Sequence, residues 1–133
     1  MWIYVIITNK ESDAMKELNI EVVLTSNNQV SEGKYLAIKD NNSISYLDND
    51  VKVCLYFKDV IRITRENDDY LLDFNFVKNE VTKGKYILKN IEKTIDLDVF
   101  TDYIIVEDDL LIIKYKVLTT EQDVIFKLKI VNN

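Results

Sequence analysis

Arg62 and Arg65 are the only arginines of the chain, and they lie three residues apart where apolar and polar residues alternate. If this stretch is a β-strand, the two side chains point to opposite faces of its sheet. A guanidinium that faces the interior of a domain needs an anion or a carboxylate partner, because an unpaired buried charge is too costly to keep. Arg65 is therefore our best candidate for a ligand anchor, and a salt bridge at the rim of the domain is the alternative.

Other residues that could perform catalysis are absent or isolated. The chain has no histidine, which removes the commonest general base and metal ligand and excludes Ser–His and Cys–His catalysis. Cys54 has no histidine or second cysteine to activate its thiol. The acidic stretch at Asp96 and Asp98 lacks the third acidic ligand and the glycine of a calcium loop. The sequence predicts no catalytic residue, no metal site and no cofactor; carboxylate or tyrosine chemistry is the one enzymatic alternative left open.

Composition bounds the class of protein. A length of 133 residues allows one compact domain with its own core. The net charge of -6 opposes a nucleic-acid partner. Two strands carry lysines at alternate positions, Lys114 with Lys116 and Lys127 with Lys129, which is typical of solvated strand faces. One cysteine cannot form an internal disulfide, and no apolar run approaches the ~20 residues of a membrane helix. We therefore expect a cytoplasmic protein without membrane contact, as a monomer or a homodimer.

The elements that must position these residues are β-strands. Period-two alternation runs almost from end to end and predicts ten or eleven strands joined as hairpins. Asn and Asp clusters replace glycine in the turns, since the chain has 2 glycines and no proline. The pattern also predicts a first strand at residues 2–8, a helical turn behind Ser12, separate strands at 91–99 and 103–107, and a bulge or bend at Gly84.

Several predicted strands are apolar on both faces, and in an open sheet such strands would form aggregation-prone edges. No linker or composition shift divides the chain. The sequence therefore predicts one all-β domain spanning residues 1–133 and favours an antiparallel barrel of about 8–10 strands closed as a meander, with a β-sandwich as the alternative.

The second half of the chain carries a family pattern. A strand from Val60 to Arg65 reads Val-Ile-Arg-Ile-Thr-Arg, an aromatic strand with Phe74 follows, and Gly84-x-Tyr86 precedes alternating strands at 95–99, 110–115 and 126–130. This order resembles the YwiB-like family, bacterial proteins of unknown function. The resemblance implies a calycin-type barrel, similar in architecture to lipocalins and streptavidin, and it implies no activity.

Tyr46, Tyr86 and Tyr115 match family positions, and inward tyrosines in such a barrel can offer hydroxyls to a ligand. The alternative is that they pack in the core with their hydroxyls at the wet ends. Two functional hypotheses follow. The first is a non-enzymatic barrel that holds a small, apolar or anionic ligand against Arg65 and these tyrosines; the second is a barrel with a packed interior that acts through its outer face.

Overall fold

The structure, a computed structural model, describes residues 15–131. All regular secondary structure in this range is β-strand, which confirms the all-β prediction. The ten strands are β1 (Lys16–Ser26), β2 (Gln29–Lys39), β3 (Ser43–Asp48), β4 (Val51–Tyr56), β5 (Ile61–Glu66), β6 (Tyr70–Phe76), β7 (Val81–Leu88), β8 (Lys93–Glu107), β9 (Leu110–Val117) and β10 (Gln122–Val131). The predicted strand at 2–8 and the helical turn behind Ser12 lie outside the described residues. No helix within residues 15–131 has the length and apolar composition needed to cross a membrane.

Each strand pairs with the next in antiparallel fashion, and β1 pairs with β10 to close the barrel. The closing register sets Ile20 opposite Ile130 on β10, while Ile20 also lies opposite Tyr35 on β2. These partners share the inner face, since side chains at matched positions point the same way. The predicted closed antiparallel barrel is therefore confirmed.

The turns depend on residues that tolerate a left-handed backbone. Asn27, Asn28, Asn49 and Asn79 all have positive φ angles, between 48° and 74°. Asparagine adopts this region more readily than most residues because its side chain bonds nearby backbone groups. The prediction that Asn and Asp replace glycine in the turns is confirmed for asparagine at these positions, whereas Glu92 and Glu121, and no aspartate, hold the other positive φ angles of the described residues.

Strand β8 differs from the sequence prediction because it is continuous across residues predicted to be a break. Thr101 lies opposite Tyr115 on β9, but Tyr103 lies opposite Lys114, so the ladder contains a bulge at this point. A bulge adds a residue and shifts the phase of the inward positions. The alternating patterns before and after the bulge therefore belong to one strand, although the sequence suggests two separate strands.

Gly84 does not mark a bulge in the β7–β8 ladder, but the β6–β7 ladder ends next to it, with Asp73 opposite Lys85 as its last pair. The β7–β8 register runs unbroken through it, with Lys83 opposite Asp98 and Gly84 opposite Leu97. A Cβ at this position would overlap the ring of Phe74 on β6. Glycine is required here because an aromatic ring lies directly over the strand.

The seam between β2 and β3 is the shortest in the barrel. Only two registered pairs join these strands, Ile38 with Ser45 and Lys39 with Ile44. The rest of β2 and the residues of β3 after Ser45 separate towards the β1–β2 and β3–β4 turns. A side cleft opens between them, bordered by Tyr35 and Tyr46.

The interior has two parts of different character. We call the end that carries the β1–β2, β3–β4, β5–β6, β7–β8 and β9–β10 turns the open half, and the remainder the packed half. The packed half is filled by aliphatic side chains with almost no solvent exposure: Ile20, Ile44, Leu55, Leu111, Ile113 and Leu128. The open half contains the cavity described next.

Candidate ligand-binding site

A cavity of about 350 Å³ occupies the interior of the open half. Its walls come from strands on all sides of the barrel, and its apolar lining includes Leu24, Val53, Ile63, Leu72, Phe74 and Phe126. Period-two alternation aims all of these side chains inward. Polar groups are few, as is typical of pockets for small partly apolar molecules.

Arg65 lines this cavity, as the last inward residue of β5. It lies between Val53 on β4 and Leu72 on β6 in the barrel wall. Arg62 points outward, where Nε and Nη2 each donate to a carboxylate oxygen of Asp73 at 2.9 Å. The prediction that the two arginines occupy opposite faces is confirmed.

Arg65 also has the carboxylate partner that an inward guanidinium requires. Its Nη2 donates to Oδ2 of Asp48 at 3.2 Å, and Oδ1 of Asp48 accepts a hydrogen bond from the Tyr35 hydroxyl at 3.1 Å. Burial by itself lowers the pKa of Arg65, but hydrogen bonds with Asp48 and Tyr70 raise the pKa above its ordinary value. Arg65 is therefore a permanent cation at the cavity wall.

Tyr115 and Tyr86 line the cavity with Arg65. The Tyr115 ring packs against Phe76 and Phe74, with centroid distances of 4.8 and 5.9 Å. Burial raises the pKa of the Tyr115 hydroxyl, and the nearby charge of Arg65 acts in the opposite direction. The Tyr86 ring lies edge-on to Tyr70, with centroids 5.8 Å apart.

Tyr46 is placed differently from the other two tyrosines. It is inward on β3 but does not line the central cavity; its ring stacks at 4.7 Å against Tyr35 and borders the side cleft. This cleft has a volume of about 150 Å³ and also includes Asp48 and Arg65. Burial raises the pKa of Tyr46. The guanidinium of Arg65 thus lies at both the cavity and the cleft, and it links Tyr46 to the two cavity tyrosines.

Sequence reasoning missed Asp48 and Tyr35. Asp48 follows Tyr46 by two residues on one strand, so period two alone predicts that it shares the inner face. Tyr35 carries a second signal, because it follows Gly33 by two residues and its ring covers the space that a Cβ of Gly33 would fill. The spacing on each strand was readable from the sequence, but the approach of the Tyr35 ring to Gly33 and the register that connects both residues to Arg65 are seen only in the structure.

The other residues that the sequence singled out stay apart from the cavity. Cys54 points outward from β4, between the inward Val53 and Leu55. Among residues 15–131 no group of three His, Cys, Asp or Glu side chains is arranged to hold a metal ion. The lysines at 114 and 116 also point outward, and Lys114 forms an ion pair with Asp102 at 3.6 Å.

Comparison with known proteins identifies a fold relative. No family model matches the chain, and no curated protein sequence matches it. The structure superposes on the crystal structure of the ywiB protein from Bacillus subtilis with a TM-score of 0.63, covering 93% of this chain and 100% of that chain. The barrel is YwiB-like. The sequences are 17% identical, so the likeness to YwiB concerns the fold alone.

Proposed function

We propose that this protein is a non-enzymatic barrel that binds a small, partly apolar ligand inside its open half. The observation that carries the proposal is the cavity of about 350 Å³, which combines apolar walls with one permanent cation and two tyrosine hydroxyls. Barrels of similar size use such an interior to hold one small ligand. Calycin-type organisation, implied by the resemblance in the second half of the chain, is consistent with this use.

The volume bounds the size of the ligand. A volume of about 350 Å³ corresponds to roughly eight to twelve non-hydrogen atoms, if each occupies about the space of one water molecule. A medium-length alkyl chain or a single substituted ring fits this limit. A sterol or a dinucleotide would have to extend beyond this volume.

Native mass spectrometry of protein purified from its host, followed by a thermal-shift screen of small amphiphiles, tests the proposal. We expect a co-purifying molecule or a rise in melting temperature of several degrees, because a ligand stabilises the state that it binds. Leu72→Trp places a large ring in the cavity and should abolish the shift. The matched control is Val81→Trp on the outer face of β7, which should preserve it. Equal shifts in both variants, or no shift with any compound, would contradict binding in the cavity.

An interaction module is the second candidate function. Leu36 and Ile38 on β2 and Leu47 on β3 point outward beside the short seam, with exposures of 58%, 43% and 63%. Exposed apolar residues that lie together are typical of protein contacts, and a second copy of this chain is the simplest occupant. Light scattering of the wild type and of Leu47→Lys tests this idea, since a dimer through this face should dissociate in the variant.

We also propose that the chain is a bacterial, cytoplasmic member of the YwiB-like family. The single cysteine and the YwiB-like barrel support this assignment. The net charge of -6 supports the expectation that nucleic acid is not a partner. Cell fractionation of the native host checks the location.

A further inference from the structure

We propose that the ligand of this cavity is a small monocarboxylate, bound through its charged group to Arg65 with its apolar part along Phe74 and Phe126. This inference rests on the proposed ligand binding and specifies the chemical class of the ligand. It is carried by the charge of the cavity and by the hydrogen-bonding capacity of the groups that line it.

The cavity has a single charge sign. Arg65 is its one charged lining residue among residues 15–131; no lysine, aspartate or glutamate of this range contributes to the wall. In an interior with few polar groups a fixed cation attracts an anion more strongly than it would in water. The cavity therefore favours a negative ligand over a neutral or positive one.

Arg65 has more N–H donors than its partners Asp48 and Tyr70 use. A guanidinium carries five N–H donors in a planar fork. Asp48 accepts one of them at 3.2 Å, and Tyr70 is a second hydrogen-bonding partner. Asp48 borders the side cleft and not the central cavity. The ion pair thus holds the guanidinium from the cleft side, and a carboxylate is the group whose geometry matches the remaining donors.

The neighbourhood of Arg65 limits the charge of the ligand to one. A phosphate monoester carries close to two negative charges near neutral pH, and it would need a second cation to compensate it. The cavity supplies no second cation within the described residues, and Asp48 already lies beside the first. A monocarboxylate meets this limit, and Tyr115, which lines the same cavity, carries a hydroxyl that can serve as a further donor.

Calorimetric titration of the full chain with octanoate, 1-octanol and octylamine tests the inference at neutral pH. These probes share one alkyl chain and differ in the charge of the headgroup. We expect octanoate to bind about tenfold more tightly than 1-octanol, as a charge-assisted hydrogen bond requires, and octylamine to bind most weakly. Arg65→Met should reduce octanoate to the affinity of the alcohol. Arg62→Met, on the opposite face of the same strand, should leave the preference intact.

Two further variants keep the test decisive. Arg65→Lys retains the cation but loses the planar fork, so it should retain only part of the preference for octanoate, and it replaces Arg65→Met if that variant does not fold. Asp48→Asn removes the competing carboxylate and should tighten octanoate binding several-fold.

The outcomes separate this inference from the proposed function. If octanoate and 1-octanol bind equally well and Leu72→Trp abolishes both, the cavity binds ligands and the carboxylate inference is overturned. An octanoate preference that survives both Arg65 variants also overturns it. If no probe binds the wild type, the carboxylate inference fails, and a negative amphiphile screen then removes the proposed function as well.

Discussion

The packed half and the open half of the barrel share one sheet but differ in how their interiors are filled. In the packed half, the side chains of Ile44, Leu55 and Leu128 have no solvent exposure. In the open half, the rings of Phe74, Tyr115 and Phe126 line a cavity instead of filling it. The difference teaches that aliphatic contacts at one end are sufficient to hold the barrel closed, which leaves the other end free to keep a space.

The largest expected difference between the halves concerns leucine truncation. Leu128→Ala should lower the free energy of unfolding by about 2–5 kcal/mol, because it creates a void in a fully packed region. Leu72→Ala only enlarges an existing cavity and removes less buried area, so we expect a loss of about 1–2 kcal/mol. Urea unfolding of both variants measures the contrast. Equal losses would show that the cavity wall is packed as tightly as the rest.

Gly84 tests how rigidly the cavity wall is built. In Gly84→Ala the new methyl group meets the ring of Phe74, which must then shift; overpacking of this kind costs about 1–3 kcal/mol. The control is the same change in a Phe74→Leu background, where the obstructing ring is absent. A double-mutant cycle from chemical denaturation should show a smaller cost there. An equal cost in both backgrounds would place the strain in the backbone and not in the ring.

Much of this arrangement was predictable from residue types alone. The alternation of apolar and polar residues predicted that Arg65 and Arg62 point to opposite faces, because the two faces of a strand can be read from its own sequence. Strands that are apolar on both faces predicted a closed meander. The alternation could not predict that Tyr46, Val53 and Arg65 lie level with one another on three adjacent strands. Which residues of neighbouring strands lie side by side depends on the register of the strands. The register is set by strand pairing and by turns, which the pattern within one strand does not encode.

The bulge between Thr101 and Tyr103 shows the same limit. The extra residue changes which positions of β8 point inward, and in the sequence this change is indistinguishable from the end of a strand. The cavity was unpredictable for a related reason. Its volume depends on how far the rings of Phe74, Tyr115 and Phe126 fall short of filling the open half, and this is a property of packing in three dimensions.

Alkaline pH should act on the open half. Burial raises the pKa of Tyr115 and Tyr46, so the folded protein keeps both phenols neutral where the unfolded chain ionises them. The stabilisation is therefore fully present below the ordinary tyrosine pKa of about 10. Above that pH the free energy of unfolding should fall by up to about 1.4 kcal/mol per pH unit for each group.

The double variant Tyr46→Phe/Tyr115→Phe checks the origin of this alkaline loss. Its free energy of unfolding should decline less steeply than that of the wild type above pH about 10, and the two should run parallel near neutral pH. Urea unfolding across this pH range provides the measurement. Identical slopes would mean that ionisation elsewhere causes the loss, and the two phenols would then not be as well shielded as their positions indicate.

The smallest expected effect concerns a polar group that the interior leaves unsatisfied. Thr101 is fully buried on β8, and its Oγ1 has no hydrogen-bond partner within residues 15–131. Thr101→Val keeps the shape of the side chain and removes the hydroxyl, so it should raise the free energy of unfolding by about 1 kcal/mol.

Thr82 on the neighbouring strand β7 is the matched control for Thr101. Its Oγ1 donates to the backbone oxygen of Asn75, so Thr82→Val should lower the free energy of unfolding by about 1 kcal/mol because it leaves that acceptor unpaired. Opposite signs for the two valine variants, measured by thermal and urea unfolding, would show that the Thr101 hydroxyl is tolerated in the interior and contributes no stability. A loss in both variants would instead mean that the Thr101 hydroxyl has a partner such as a buried water, and the interior beside Tyr115 would then hold a water molecule.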